Sequence, residues 1–128
     1  MKLKISGQIY GGKNNINITK KGKRYPNKEW QEWRDGKIWE LKRQIIKMKD
    51  FETFTEPMSI IVRYTAGDNR RRDTPAILDS IYHLLEKTNV VDDDALIGGF
   101  GCDVIFINLG FDKEKAGVEL ELMKGRGR

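Results

Sequence analysis

Cysteine and histidine are almost absent from this 128-residue chain, which contains Cys102, His83 and no second residue of either kind. A single cysteine cannot form an intramolecular disulfide, and one cysteine with one histidine cannot complete a four-ligand zinc site. Cys102 adjoins an apolar stretch, where a lone cysteine usually acts as a small buried hydrophobic residue. For His83 we favour a surface or packing position over a role as ligand or base.

Long hydrophobic runs are missing as well. No apolar stretch approaches the roughly 18 residues that span a bilayer, and the N-terminus has no apolar signal-peptide core. We therefore expect no membrane association and a cytoplasmic, reducing location. The length suits one domain with a single core, which we assign to residues 1–123, followed by a flexible basic tail at residues 124–128.

Charged residues are plentiful but unevenly distributed along the chain. The formal net charge is +5, from 24 Lys and Arg against 19 Asp and Glu. Residues 1–50 contain 14 basic and 5 acidic residues, whereas residues 51–128 contain 10 basic and 14 acidic ones. This division is typical of a protein that holds a polyanion with one part and cations with the other. The alternative is a soluble basic protein with a solvated charged surface.

The spacing of apolar residues predicts an α/β (α+β) fold, a single-domain sandwich with a mixed β-sheet and two main helices. The predicted order is β-β-α-β-α-β-β, with strands at residues 2–10, 15–19, 58–64, 99–109 and 118–123. The first helix is predicted from Asn27, as N-cap, to Lys49, with Gly36 as its weak point. The second is predicted to run from Pro75 to Lys87, with Thr74 as its N-cap.

The segment Arg70–Ile97 contains the residues that suggest chemistry. Three arginines precede an aspartate at the start of the second helix, and three consecutive aspartates follow that helix. Carboxylates gathered in one place repel each other unless a cation neutralises them, and Mg²⁺ prefers oxygen ligands. We predict a Mg²⁺ site with catalytic carboxylates from Asp73, Asp79 and Asp94, supported by Asp93. The alternatives are a helix-stabilising Asp73 and a solvated acidic loop.

Basic residues in two places are predicted to contact nucleic acid. Arginine can bind a phosphate group through two parallel hydrogen bonds. Nearer the N-terminus, basic residues surround the first turns, and Trp30 and Trp33 follow them, a mixture that suits a nucleic-acid surface. The periodic tryptophans are more often core residues. The predicted contacts are Arg70, Arg71, Arg72, Lys13, Lys20, Lys21, Lys23 and Arg24.

The same residues resemble the RusA family of Holliday junction resolvases. That family has an Arg-flanked D-x-D-N-x-x-K-x-x-x-D-x-L segment, then a short G-V and D-D-x-x-I. Here RRRD ends at Asp73, and Leu85, Val90 and the run from Asp93 to Ile97 fall into that frame without a gap. The stretch KNNINITKKGKRYPNKEWQEW also resembles the family's early basic turn and Trp-containing helix.

The chain departs from the family pattern at several positions. The second aspartate of the pattern falls on Pro75, its asparagine on Ala76, its lysine on Asp79 and its helical aspartate on His83. Its glycine falls on Asn89. Only Asp73 and Asp94, with Asp93 beside it, carry over as metal-binding carboxylates, and Asp79 is our own addition as a replacement second carboxylate.

The resemblance implies a homodimer with Mg²⁺-dependent sites that nick opposite strands of a four-way DNA junction during recombination and repair, without a small-molecule cofactor. Two other functions remain open from the residues alone. One is a non-catalytic nucleic-acid-binding protein that binds branched DNA through its basic N-terminal half. The other is a small regulatory protein whose acidic loop contacts another protein.

Overall fold

A computed structural model of the chain describes residues 1–11, 16–18, 24–26 and 28–125, with backbone alone for 16–18 and 24–26. It contains six strands, two α-helices and one short 3-10 helix in the described residues. In chain order these are β1 Lys2–Ser6, β2 Ile16–Ile18, β3 Arg24–Pro26, α1 Lys28–Ile45, β4 Met58–Ala66, α2 Thr74–Lys87, the 3-10 helix Asp94–Leu96, β5 Val104–Phe111 and β6 Gly117–Lys124.

Four of the strands form one mixed sheet in the order β1-β6-β4-β5. β4 pairs parallel with β5 and antiparallel with β6, which in turn pairs antiparallel with β1. Parallel neighbours need a crossover connection, and α2 supplies it between β4 and β5. β2 and β3 form a separate two-stranded antiparallel sheet. The predicted fold class, a mixed sheet with two helices, is confirmed.

The hydrophobic core lies on one face of the four-stranded sheet. In β4 every second side chain from Met58 to Ala66 is buried, as the alternation of a strand requires. The helices cover this face through their apolar stripes, which include Leu41 of α1 and Ile77, Ile81, Leu84 and Leu85 of α2. Trp30 is fully buried, in agreement with its assignment as a core residue. No described helix is long and apolar enough to cross a membrane.

The free edge of β1 is covered by side chains of α1. The Gln44 amide donates to the Lys4 carbonyl oxygen (Nε2–O 2.6 Å), and its Oε1 accepts from the Lys4 N–H (2.8 Å). Glu40 Oε1 accepts from the Ser6 N–H at 2.6 Å. These contacts satisfy backbone groups that an edge strand otherwise presents to solvent or to another chain.

Several element boundaries differ from the predicted ones. β1 ends at Ser6, since Gly7 adopts a φ of +79° that ends the extended run. β5 begins only at Val104, because Gly98 and Gly101 adopt positive φ values before it. α1 ends at Ile45 and continues through Gly36 without a break. β3 is an additional strand, absent from the predicted order, and Asn27 lies outside the described residues.

Two glycines provide a matched test of this fold. Gly36 lies within α1 with open space where a Cβ would be placed, so Gly36→Ala is expected to raise the free energy of unfolding by ~0.5–1 kcal/mol. Gly117 has a φ of +141°, and an added Cβ would collide with the Ile5 carbonyl oxygen. Gly117→Ala should therefore lower the free energy of unfolding by about 2 kcal/mol or more. Urea denaturation measures both, and equal effects would contradict the β1–β6 geometry.

Candidate functional site

The carboxyl end of β4 and the N-terminus of α2 enclose a small cavity of about 200 Å³. Helix N-termini attract anions, and ligands of open α/β sheets commonly bind beyond the carboxyl ends of parallel strands. The cavity therefore lies where an α/β sheet favours a ligand, and it coincides with the predicted arginine segment. Its lining includes Tyr64, Asp68, Arg70, Arg72, Phe106 and Phe111.

Arg72 is held by Asp68 through two parallel hydrogen bonds. Nη1 lies 2.7 Å from Oδ1, and Nη2 lies 3.0 Å from Oδ2. The backbone N–H of Arg70 also donates to Asp68 Oδ1 at 2.9 Å. These contacts, first of all the Arg72 hydrogen bonds, lower the pKa of Asp68 to about 2 and raise the pKa of Arg72. Arg72 and Asp68 thus stabilise the loop between β4 and α2.

Arg70 and Arg71 remain open to solvent. The Arg70 side chain is 82% exposed and approaches Asp68 only at 3.9 Å, and Arg71 is exposed as well. Of the three arginines predicted to contact phosphate, these two are exposed enough to reach an external phosphate. Asp68 was not predicted, because the spacing that pairs a carboxylate with an arginine four residues later holds in helices and residues 68–72 form a loop.

Asp73 occupies the N-cap position of α2, which the sequence analysis had assigned to Thr74. Its backbone is extended (φ −78°, ψ 112°), but its side chain makes no capping hydrogen bond. Asp73 is exposed. Thr74 is instead the first helical residue. Asp73 consequently lies at the positive end of the helix, directly after the three arginines in sequence, and its carboxylate does not cap the helix.

The three consecutive aspartates lie beyond the other end of α2. Asp93 caps the 3-10 helix, because its Oδ1 accepts from the Ala95 N–H at 2.9 Å. Asp92 is exposed, and Asp94 is half-buried as the first residue of that helix. Gly98 N–H donates to the Met58 carbonyl at 2.9 Å, so the segment is attached to the beginning of β4.

Asp73 and Asp94 are therefore held at opposite ends of α2. The helix has 14 residues, which corresponds to about 21 Å at ~1.5 Å per residue. Asp79 lies on the helix between them, half-buried, and adds to the effect of burial in raising the pKa of Tyr82. Residues 1–11 and 28–125 contain no group of three or more His, Cys, Asp or Glu arranged to hold a metal ion.

This arrangement does not fit a Mg²⁺ ion within a single chain. Mg²⁺ needs oxygen ligands at roughly 2.0–2.1 Å from one point, which side chains at the two ends of α2 cannot supply together. Asp73 thus follows the three arginines in the loop before α2, and Asp94 follows Asp93 after the helix, so the length of α2 lies between the two groups. That these aspartates bind metal stays a prediction.

His83 packs against a tryptophan. Its ring lies 5.1 Å from the Trp30 ring, centroid to centroid, and is inclined by 59°. Trp30 Nε1 donates to Ser80 Oγ at 3.2 Å, and Ser80 Oγ donates to the Tyr10 carbonyl at 2.9 Å. Arg34 lies 5.4 Å above the Trp30 ring. This cluster joins α1, α2 and the segment after β1, so His83 is a packing residue, as the sequence favoured.

The basic N-terminal surface falls mostly outside the described residues. Lys13, Lys20, Lys21 and Lys23 lie there, and Arg24 is described only as backbone of β3. Their contact with nucleic acid stays a prediction. Trp33, which follows them, packs partly buried against the core.

A second, larger cleft of about 1040 Å³ opens at the opposite end of the sheet. Phe51, Phe54, the fully exposed Phe100 and Cys102 are among the residues that line it. Cys102 is half-exposed, so its assignment as a buried hydrophobic residue is wrong. The preceding glycines hold this segment in a loop ahead of β5, which explains why it does not enter the core.

Comparison with known proteins gave no family: no family model matches the chain, and no curated protein matches it either. The resemblance to the RusA pattern consequently depends on the residues themselves.

Removal of Arg72 tests the electrostatics of the loop. Arg72→Ala should raise the pKa of Asp68 from about 2 toward its ordinary 3.8, as followed by carboxyl ¹³C shifts during a pH titration. Because the folded-state pKa lies below the unfolded one, the pair stabilises the fold above pH ~4, and this contribution is lost as the pH falls toward ~2. Asp92→Asn, at an exposed position, is the control and should leave the Asp68 titration unchanged. An unchanged Asp68 pKa in Arg72→Ala would contradict the geometry.

Proposed function

We propose that this protein is a Mg²⁺-dependent endonuclease that resolves Holliday junctions and other branched DNA as a homodimer in the cytoplasm. The observation that carries the proposal is the position of Asp73, at the positive end of α2 between an exposed pair of arginines and the helix N-terminus. The carboxylate makes no capping bond there. Such a position is suited to the phosphodiester backbone and to a cation that accompanies it.

The charges around Asp73 support a phosphate site. Arg70 and Arg71 are free to donate to phosphate oxygens, and the first N–H groups of α2 attract anions. A carboxylate beside a bound phosphate is repelled by it unless a cation lies between them. Asp73 therefore has a physical reason to be present in a Mg²⁺-dependent site, whereas in a simple anion site it weakens binding.

In a homodimer, the acidic residues that lie at opposite ends of α2 in one chain can meet across two chains. In a dimer whose two α2 helices run antiparallel, the N-terminus of one helix lies on the same side as the C-terminus of the other. Asp73 of one chain and Asp94 of the partner subunit then belong to one site, and two-fold symmetry gives two such sites. A four-way junction also has two-fold symmetry, so two equivalent sites suit paired nicks.

The second candidate is a non-catalytic protein that binds branched DNA. It is favoured by the lack of a three-membered metal-binding group within the described residues of one chain. In that case Arg70, Arg71 and the basic N-terminal half bind phosphate, and Asp92 and Asp93 are only a solvated surface. The two candidates differ in whether Mg²⁺ supports nicking of a four-way junction.

Mixing two inactive variants tests the shared site most sharply. Asp73→Asn and Asp94→Asn should each bind a four-way junction but fail to nick it in Mg²⁺. After subunit exchange, each mixed dimer contains one site with both aspartates intact. Random exchange should restore about a quarter of the wild-type sites, and nicking should return accordingly.

The control for this experiment is Asp112→Asn, in the turn between β5 and β6, which should nick normally by itself. If the mixture stays inactive while each single variant folds and binds, the site is not shared between chains. If the wild-type protein binds junctions but never nicks them in Mg²⁺ or Mn²⁺, the non-catalytic candidate replaces the enzyme.

The arginines give an independent prediction about binding. Arg70→Ala and Arg71→Ala should each weaken junction binding by about tenfold, since each removes one charge-assisted contact to phosphate. Each should also reduce the slope of log affinity against log salt by about 1. Lys113→Ala, on the β5–β6 turn, is the matched control. Fluorescence anisotropy over a salt series measures both quantities, and an unchanged slope in both variants would remove these arginines from the interface.

A further inference from the structure

β5 is an edge strand with an unusual surface. Its eight residues, Val104–Phe111, include no charged residue. Five of its large apolar side chains are between 36% and 64% exposed, namely Val104, Ile105, Ile107, Leu109 and Phe111. An edge strand that is uncharged, apolar and exposed is a template for pairing with another chain. Natural proteins usually protect such an edge with charges, proline or a covering element.

The backbone of β5 has a free hydrogen-bonding edge. Ile60 N–H donates to the Asp103 carbonyl at 3.0 Å, which sets the parallel ladder with β4. In that ladder the odd-numbered residues Ile105 and Ile107 direct their backbone groups toward β4. The even-numbered residues Val104, Phe106 and Asn108 direct theirs away from the sheet. Within the described part of the chain, no strand or helix pairs with that side of β5.

The contrast with the other edge of the sheet is informative. At β1, Gln44 and Glu40 of α1 occupy the outward backbone groups. Among the described residues, the chain therefore covers the β1 edge of the sheet and leaves the β5 edge uncovered. The open edge is also the apolar one, which indicates that its cover is supplied by another polypeptide strand.

We propose that β5 pairs antiparallel with β5 of a second copy of this chain, across a two-fold axis near Ile107, to give a continuous eight-stranded sheet. A second copy fits this edge because the strand is complementary to itself. With the axis at Ile107, Ile105 faces the partner's Leu109, and the two Ile107 side chains meet. Ile105 and Ile107 lie on the sheet face opposite the helices, as their register with Ile61 and Arg63 requires. The strand contains no charge that would be repelled by its own copy.

The area of the exposed apolar side chains of β5 is consistent with a second copy of the chain as the partner. The five exposed side chains present roughly 400 Å² of apolar surface, within the range of the largest patches on monomers, which commonly mark interaction sites. A stable interface covers about 800 Å² on each partner. The paired backbones and the neighbouring parts of the helix layer supply the remainder.

This proposal names the surface of the homodimer on which the proposed function depends. A two-fold axis perpendicular to the sheet reverses the direction of α2 between the copies, as the shared site needs. Association can be measured without DNA or metal, so its failure is distinguishable from a failure of the nuclease proposal.

Ile107→Lys tests the interface. It places two like charges against each other at the axis, so the dissociation constant of the dimer should rise by roughly a hundredfold or more. Sedimentation equilibrium should give twice the 14.8 kDa chain mass for the wild type and the chain mass for the variant. The matched control is Ile46→Lys, at an isoleucine 84% exposed just after α1, which should remain dimeric. Far-UV circular dichroism checks that both variants are folded.

A cross-link gives a second readout that does not depend on the charged variant being folded. In a Cys102→Ser background, Ile107→Cys should form a disulfide between chains on mild oxidation, whereas Ile46→Cys should not. A monomeric wild type would overturn the proposal. A dimer that Ile107→Lys leaves intact, or that Ile107→Cys fails to cross-link, would overturn it too.

Discussion

The parallel pairing of β4 with β5 is the constraint on which the rest of this structure depends. Parallel neighbours cannot be joined by a tight turn, so the chain must return along the whole sheet before β5 begins. α2 makes that return, buries Ile77, Ile81 and Leu84 against β4, and completes the core. The same return separates the residues before the helix from those after it. The acidic residues of one short segment are thus neighbours in sequence and distant in space.

Much of the fold could be predicted from local patterns. The apolar run Met58–Tyr64 predicts a buried strand, and the apolar stripe from Ile77 to Leu85 predicts a helix. The structure contains both, as β4 and α2. Boundaries failed where glycine conformation decides them, as at Gly7 and Gly101, because a sequence does not state the sign of φ. The exposure of β5 was also beyond prediction, since an apolar β-branched strand has the same pattern whether its cover comes from its own chain or from another.

The candidate site was only partly predictable, and for a related reason. Spacing placed Asp73 correctly at the start of a helix and Asp94 in the connection after it, but whether they meet depends on helix length and direction. Fourteen helical residues, about 21 Å of helix at ~1.5 Å per residue, lie between them. The three arginines also looked equivalent in sequence. Packing divides them, because Asp68 holds Arg72 and leaves Arg70 and Arg71 to solvent.

The two-fold arrangement that we propose would account for both the exposed edge of β5 and the divided acidic groups, since reversal of α2 places unlike helix ends on the same side. The most direct test of a metal site shared between two chains is a crystal structure of the protein with Mn²⁺, because the anomalous signal of Mn²⁺ locates the ion. A shared site predicts an ion held by Asp73 of one chain and by Asp94 of the partner subunit, at two symmetric positions. An ion held by the aspartates of one chain alone would contradict it, as would a dimer in which the two residues stay apart.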